Sequence, residues 1–528
     1  MAFRSIRRRS NRGACAACAL MLAVASIPAA VADPVPAGMP EAPRARVATE
    51  PVAITGRKIE VPADGDLRAA LERARPGDVI ELQPGVVYRG PFTLPRKNGD
   101  GWIVITTAGS ERHLPPPATR VLPLHADVMA ILEAGHGAVI SAAEGAGYYR
   151  FVGVLIRPTP GEFLYNLVSL GTEAETLEQL PHHIIFDRCI LRGDPEVGTR
   201  RGIALNARYS AVIDSHLAGF KELGADSQAI AGWNGPGPFK IVNNYLEGAG
   251  ENVLFGGARA RIPGLVPSDI EIRGNHFSKP LRWREGHTLY AGTPWAVKNL
   301  FELKNARRVL VDGNLLEYSW VHGQTGFAVL FTVRNEDGAM PWAVVEDVVF
   351  SNNVIRHAGG GISFLGRDNG APTEARTRRI LVTNNLFDDI GGQWGGGRLF
   401  QMIDGTADVT IANNTARHTG SIIVSDGSPH SGFVFVDNIV LHNEYGIVGA
   451  GTLPGSRTLE VHFPDSVVTG NSIAGASRSA YPRGNRYTEP HELSGTGTDL
   501  DRLCRAFQLA QLPLVSLDVC GSQQRRAA

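Results

Sequence analysis

Residues 348–355, VVFSNNVI, and residues 380–387, ILVTNNLF, are one phrase written twice: an apolar strand, two small or polar residues, an asparagine, then apolar residues again. The phrase recurs as KIVNNYL at Asn244, EIRGNHF at Asn275, LVDGNLL at Asn314, VTIANNTA at Asn414, FVFVDNIV at Asn438 and SVVTGNSI at Asn471. Two earlier versions put Cys189 and His216 in the asparagine slot. Successive asparagines stand between 24 and 39 residues apart. A fixed phrase at such a period marks a repeat architecture, and the absence of sustained 3.6-residue periodicity excludes a helical one.

A second strand lies between the asparagine phrases, usually after glycine: ENVLFGG, GFAVLFTVRN, GGISFLGRDN, GRLFQMIDG, GSIIVSDG and YGIVGAG. Two or three short strands per step, joined by turns, describe one winding of a parallel β-solenoid. Strands of adjacent windings then lie about 4.8 Å apart. Equivalent asparagines stack and pass hydrogen bonds along the axis, so the column is predicted to be structural.

The first rung decides what kind of solenoid this is. DGDLRAALERARPGDVIELQPGVVYRG, residues 64–90, reads as a short amphipathic helix from Leu67 to Arg75, a Pro-Gly-Asp turn and a first coil. This stretch resembles the N-terminal cap of the pectin-lyase-like, right-handed parallel β-helix families. The resemblance implies an all-β, single-stranded right-handed parallel β-helix over residues 56–488, whose first edge and core are covered by the helix. It implies a function class only broadly, because that superfamily includes polysaccharide lyases, hydrolases, esterases, epimerases and phage adhesins.

Outside the solenoid, residues 1–32 have a basic head, an apolar run and the small-residue end Ala30-Val31-Ala32, the pattern of a secretory signal peptide. Residues 33–55 read as a Pro-rich linker, and 489–528 as a C-terminal tail or cap. No later stretch has the run of about 18 apolar residues that a membrane span needs. The 52 basic and 52 acidic side chains cancel, which argues against nucleic acid as a partner. A secreted or periplasmic monomer acting on a polysaccharide is expected. In an oxidising compartment Cys504 and Cys520 are expected to form a disulfide, and Cys189, set in HIIFDRCIL, is expected to be a buried small side chain.

The two 39-residue steps, from Asn275 to Asn353, carry extra material, and insertions of this kind usually map to a binding face. Six of the seven tryptophans lie between residues 233 and 394. Trp283, Trp295, Trp320, Trp342 and Trp394, with Tyr290, are candidate sugar-stacking residues. Aligning the second strands on their apolar cores places Lys304, Arg334, Arg367, Asp404 and Asp426 in one polar file at a turn. In FELKN, period two puts Glu302 and Lys304 on the face opposite Phe301 and Leu303.

β-Helix lyases acting on alginate or glycosaminoglycan combine a Lys base, an Arg and a Ca²⁺ held by Asn and Glu, and this segment is loosely similar. The resemblance implies elimination from a uronate polymer, with Lys304 as base and Arg334 offsetting the substrate carboxylate; Arg367, in the same file, is a further catalytic candidate, and Glu302, Glu336 and Asp337 are candidate ligands for Ca²⁺. Glu251, in GAGENVLFGGA, is a further candidate for substrate binding. A noncatalytic glycan-binding solenoid is the alternative from another class, and a glycoside hydrolase with two carboxylates is a third.

Overall fold

The computed structural model describes residues 38–99, 101–368 and 375–489. The signal-peptide segment and the Cys504–Cys520 pair lie outside them. Three long sheets of 14, 13 and 12 strands run the length of the described chain, and each strand neighbours the equivalent strands of the windings before and after it. The fold is a right-handed parallel β-helix. A winding runs from a first-sheet strand such as Thr377–Thr383, through the asparagine turn, to a second-sheet strand, Leu386–Ile390. It then turns a corner into a third-sheet strand, Arg398–Ile403, and the next winding begins at Ala407.

The asparagine phrase makes the turn between the first and second sheets. The residue before the asparagine sits in the left-handed region, as at Asn352 (φ 56°), Asn384 (56°) and Gly313 (65°), which explains the Gly, Asn or Asp found there. Each asparagine then donates from Nδ2 to Oδ1 of the asparagine one winding on, at 2.9–3.1 Å from Asn244 to Asn471, and accepts a backbone N–H from the winding before. The column runs one step further than the repeat suggested, to Asn485. At its other end Ser215, rather than His216, fills the slot: Ser215 N donates to Asn244 Oδ1, and Cys189 N donates to Ser215 Oγ. His216 is the next residue and opens a second-sheet strand. Cys189 is fully buried, and burial pushes its thiol up to about 12, as befits an inert core residue.

Inside, equivalent apolar residues stack. Phe331 stands level with Phe364, and Phe301 meets Phe331 and, across the core, Phe277 of the second sheet, with ring centroids 5.6–6.3 Å apart and each ring contributing about 2–3 kcal/mol through burial. The helix Leu67–Arg73, capped by Asp66 Oδ1 accepting from Arg68 N and Ala69 N, buries Leu67, Ala70 and Leu71 over the first rung. The stretch expected to be a linker is laid along the outside of the first sheet over residues 41–50. Glu41 N and Arg44 N donate to Asp347 and Asp269, the carbonyls of Thr49 and Glu50 accept from Arg150, and Val47 is buried among Ile185, Ala211 and Ile213.

Two histidines make the solenoid acid-sensitive. His418 and His430 are buried, and burial pushes both imidazoles down to about 4. His430 Nδ1 accepts the Thr406 N–H at 3.0 Å, which requires the neutral ring. The unfolded chain binds these protons near pH 6.5 and the folded chain does not. Their contribution is therefore fully present above pH 6.5 and is lost as pH falls from 6.5 toward 4. Up to about 3 kcal/mol per histidine is expected to disappear, and denaturant unfolding at pH 7.5 and pH 4.5 should show it. Equal stability at the two values would contradict this.

Candidate active site on the third sheet

Phe301 and Leu303 fill the core, so Glu302 between them points to the outer face of the third sheet, level with Leu254 in the winding before and Leu330 in the winding after. Glu251 begins the preceding strand and stands level with Gln228 and Arg201. Gln228 Nε2 donates to Glu251 Oε2 at 2.7 Å, and Arg201 Nε donates to Gln228 Oε1 at 2.8 Å. Both carboxyls are buried, Glu251 0 % exposed and Glu302 2 %. Glu251 Oε1 and Glu302 Oε2 have no hydrogen-bond partner, nor does either side-chain atom of Asn299 nearby in the chain. Buried unpartnered oxygens carry a large desolvation cost and are characteristic of sites that receive a ligand or a proton.

Three lysines attend these carboxyls. Lys298 Nζ lies 2.6 Å from Asp226, with its side chain about a fifth exposed. Lys304 Nζ lies 3.9 Å from Glu302 Oε1, a loose pair that is also a fifth exposed, and Thr332 Oγ1 donates to the same oxygen at 3.1 Å. Lys279 is fully buried and donates to the carbonyls of Gly248, Ala249 and Gly250 and to Asn252 Oδ1, which fixes the corner from which Glu251 starts.

Burial, then the Glu302 and Asp226 charges, holds the Glu251 carboxyl well above the ordinary range. Burial raises Glu302 as well, against the opposing Lys304 charge. Burial alone would lower Lys298, but the Asp226 hydrogen bond and the Glu251 and Asp226 charges outweigh it, and the ammonium is held above its usual value. Two buried carboxyls that resist ionisation thus stand beside two partly exposed lysines, an arrangement that marks a candidate site.

Of the expected site, the structure brings together Glu302, Lys304 and Glu251. The single charged file does not form. Asp426 is level with Ile403, Leu365 and Thr332, and so stands two positions short of Arg334 and Arg367 along their strands. From the shared level of Phe331, Phe364, Met402 and Ser425 the charged residues follow after three, three, two and one positions, so they do not stack. Arg334 remains beside Lys304 through the Arg334 N to Lys304 O bond of 3.0 Å, and its guanidinium pairs with Asp368 at 2.7 Å. Arg367 is half-buried.

The tryptophans do not line an open groove. Trp283, Trp295, Trp320 and Trp394 are between 1 % and 5 % exposed and pack with Ala249 and Val297 into a small second core that fastens the insertion to the wall. An inserted loop of this length has apolar surface of its own to bury. Trp342 is half-buried and donates from Nε1 to Leu265 O, and Tyr290 is half-buried in the insertion.

Two of the expected Ca²⁺ ligands stand on different elements. Glu302 faces Lys304 and Thr332, while Glu336 begins a separate turn, Glu336–Gly338. Among the described residues no three His, Cys, Asp or Glu side chains form a group that could hold a metal. The side chain of Asp337, the third expected ligand, lies outside the described residues.

No family model matches the chain, and no curated protein matches it. Solved structures do. A mannuronic acid specific polysaccharide family 6 lyase from human gut microbiota superposes with a TM-score of 0.53 at 11% identity, over 85% of this chain and 95% of that one. The catalytic unit of the thermostable GH87 α-1,3-glucanase from Streptomyces thermodiastaticus strain HF3-3 gives 0.51 at 12% identity, over 84% and 69%. At these identities the likeness is one of fold.

Proposed function

We propose that this β-helix acts on a polysaccharide, and that it cleaves an acidic, uronate-bearing glycan by β-elimination at the Glu251–Glu302–Lys304 cluster. The observation that carries the reading is the loose Lys304–Glu302 pair: an amine near a buried carboxyl whose own hold on a proton is raised. Shifting the proton from Lys304 to Glu302 leaves a neutral amine at the rim without placing net charge in the interior. That amine takes the proton next to the uronate carboxylate, and the electron pair forms the ring double bond. The bond to the 4-oxygen breaks, and the departing oxygen takes a proton from the neighbouring Glu251 carboxyl. Lys298 and Arg334 offset the negative charge that develops on the substrate carboxylate. The fold is shared with a lyase specific for mannuronic acid, which supports this substrate class, and with a glucanase, which supports polysaccharide action more broadly.

Export to the periplasm or beyond is part of the proposal and is supported by the basic, apolar and small-residue order of the first 32 residues. Among the described residues no helix is long and apolar enough to cross a membrane. Incubation with a panel of uronate polymers, alginate and pectate among them, is expected to give products with an unsaturated terminal ring that absorbs in the ultraviolet. New reducing ends without that absorbance would replace elimination by hydrolysis. Binding without any cleavage would reduce the solenoid to a glycan-binding wall.

A further inference from the structure

The outer face of the second sheet carries a separate set of groups that share no residue with the Lys304 cluster. His216, Tyr245 and His276 stand level in three successive windings. The following residues, Leu217, Leu246 and Phe277, fill the core, so the three rings point outward. His216 and Tyr245 are stacked at 4.5 Å, and Tyr245 meets His276 edge-on at 5.0 Å. Two residues further along lie Glu247 and, two windings on, Glu317, with Ser278 level between them. Tyr245 Oη donates to Glu247 Oε1 at 2.7 Å, His276 Nε2 lies 2.8 Å from Glu317 Oε1, and Arg356 donates to Glu317 Oε2 at 2.6 Å.

Cations border this floor. Arg120 is anchored to the carbonyls of Asn243 and Gly274 on one side, and its charge, with that of Arg192, acts on His216. Arg282, from the insertion, lies 3.9 Å from Glu247 on the other, with its side chain about half exposed. Arg192 and Arg282 thus border the floor with Arg120, on which the Asp214 charge acts, while Arg356 lies between Glu317 and Asp388, and burial draws Glu247 toward its neutral form. His216 Nδ1 is buried without a partner. A partly apolar ring floor beneath an excess of guanidinium charge is suited to a ring that carries an anion.

We infer that the outer face of the second sheet binds a carboxylate-bearing sugar, the His216–Tyr245–His276 floor taking the ring and Arg282 with Arg192 taking the carboxylate. The inference stands on this face alone and does not depend on elimination at the third sheet. The test uses the full chain labelled at histidine, with the His216 and His276 imidazole signals followed by NMR during titration with glucuronate, glucose or acetate. Glucuronate is expected to shift these signals, glucose and acetate to shift them at least about tenfold less at equal concentration, and Arg282→Gln or Arg192→Gln to weaken the glucuronate response by about tenfold or more. Both arginines are exposed, so either variant serves if the other misfolds. Lys304→Ala is expected to leave the response unchanged, which separates this site from the cluster. No shift with glucuronate, an equal shift with acetate, or an unchanged response in both arginine variants would overturn the assignment.

Discussion

Asn353→Ala is expected to destabilise the solenoid by about 4 kcal/mol or more, the largest effect of any single side chain outside the apolar core. Asn353 Nδ2 donates to Val311 O at 3.1 Å and Asn385 Oδ1 at 3.0 Å, and its Oδ1 accepts Asn314 N and Asn314 Nδ2, both at 2.9 Å. All of these groups are buried. Alanine removes four hydrogen bonds at once and strands the Asn314 amide and the Val311 carbonyl in the interior, where Asn385 Oδ1 also loses a donor. Each stranded group costs about 1–3 kcal/mol, and the column couples them from winding to winding. Urea unfolding measures the difference. Removal of the exposed Arg457–Glu460 pair, by contrast, should change stability by less than about 1 kcal/mol. An Asn353→Ala loss no larger than that would mean the column does not hold the windings together.

The second large effect is on turnover. Lys304→Ala is expected to lower kcat by about 10²- to 10⁴-fold, the range supplied by a positioned proton acceptor. Glu302→Gln should fall in the same direction, because a glutamine cannot receive the proton that Lys304 must give up. Neither change should unfold the chain. Lys304 is partly exposed and its pair with Glu302 is long, and glutamine preserves the shape of Glu302. Retention of the wild-type unfolding midpoint with loss of turnover is the expected result. Turnover within about twofold of wild type in Lys304→Ala would place the chemistry elsewhere.

Much of the architecture was legible because it repeats. A left-handed residue followed by asparagine is a local requirement, and each winding has to meet it again. Where the requirement was met differently the reading slipped: Ser215 does the work of an asparagine with a hydroxyl, and Asn485 follows Asn471 after only 14 residues. The alternation in FELKN placed Glu302 opposite Phe301 correctly because a strand of three residues leaves no room for a bulge. The charged file failed because its members follow the aligned core level at different distances: Arg334 and Arg367 come three residues after Phe331 and Phe364, Asp404 two after Met402, and Asp426 one after Ser425.

Two further features depend on contacts that sequence does not encode locally. The Lys298–Asp226 pair joins residues 72 apart, and neither neighbourhood advertises the other. Tryptophan at an insertion is equally consistent with a wet platform and a dry plug. Only the packing of Trp283, Trp295, Trp320 and Trp394 against Ala249 and Val297 distinguishes them here.

Elimination at the third-sheet cluster is tested most directly by cleaving a uronate polymer in water enriched in ¹⁸O and weighing the new chain ends. Elimination moves protons and breaks a carbon–oxygen bond without adding water, so products lighter by one water and free of ¹⁸O are predicted, formed by the wild-type chain and not by Lys304→Ala. Products that carry the mass of one added water per cleavage, with its ¹⁸O in the new reducing end and no unsaturated partner, would show that water had been added, and would contradict the account.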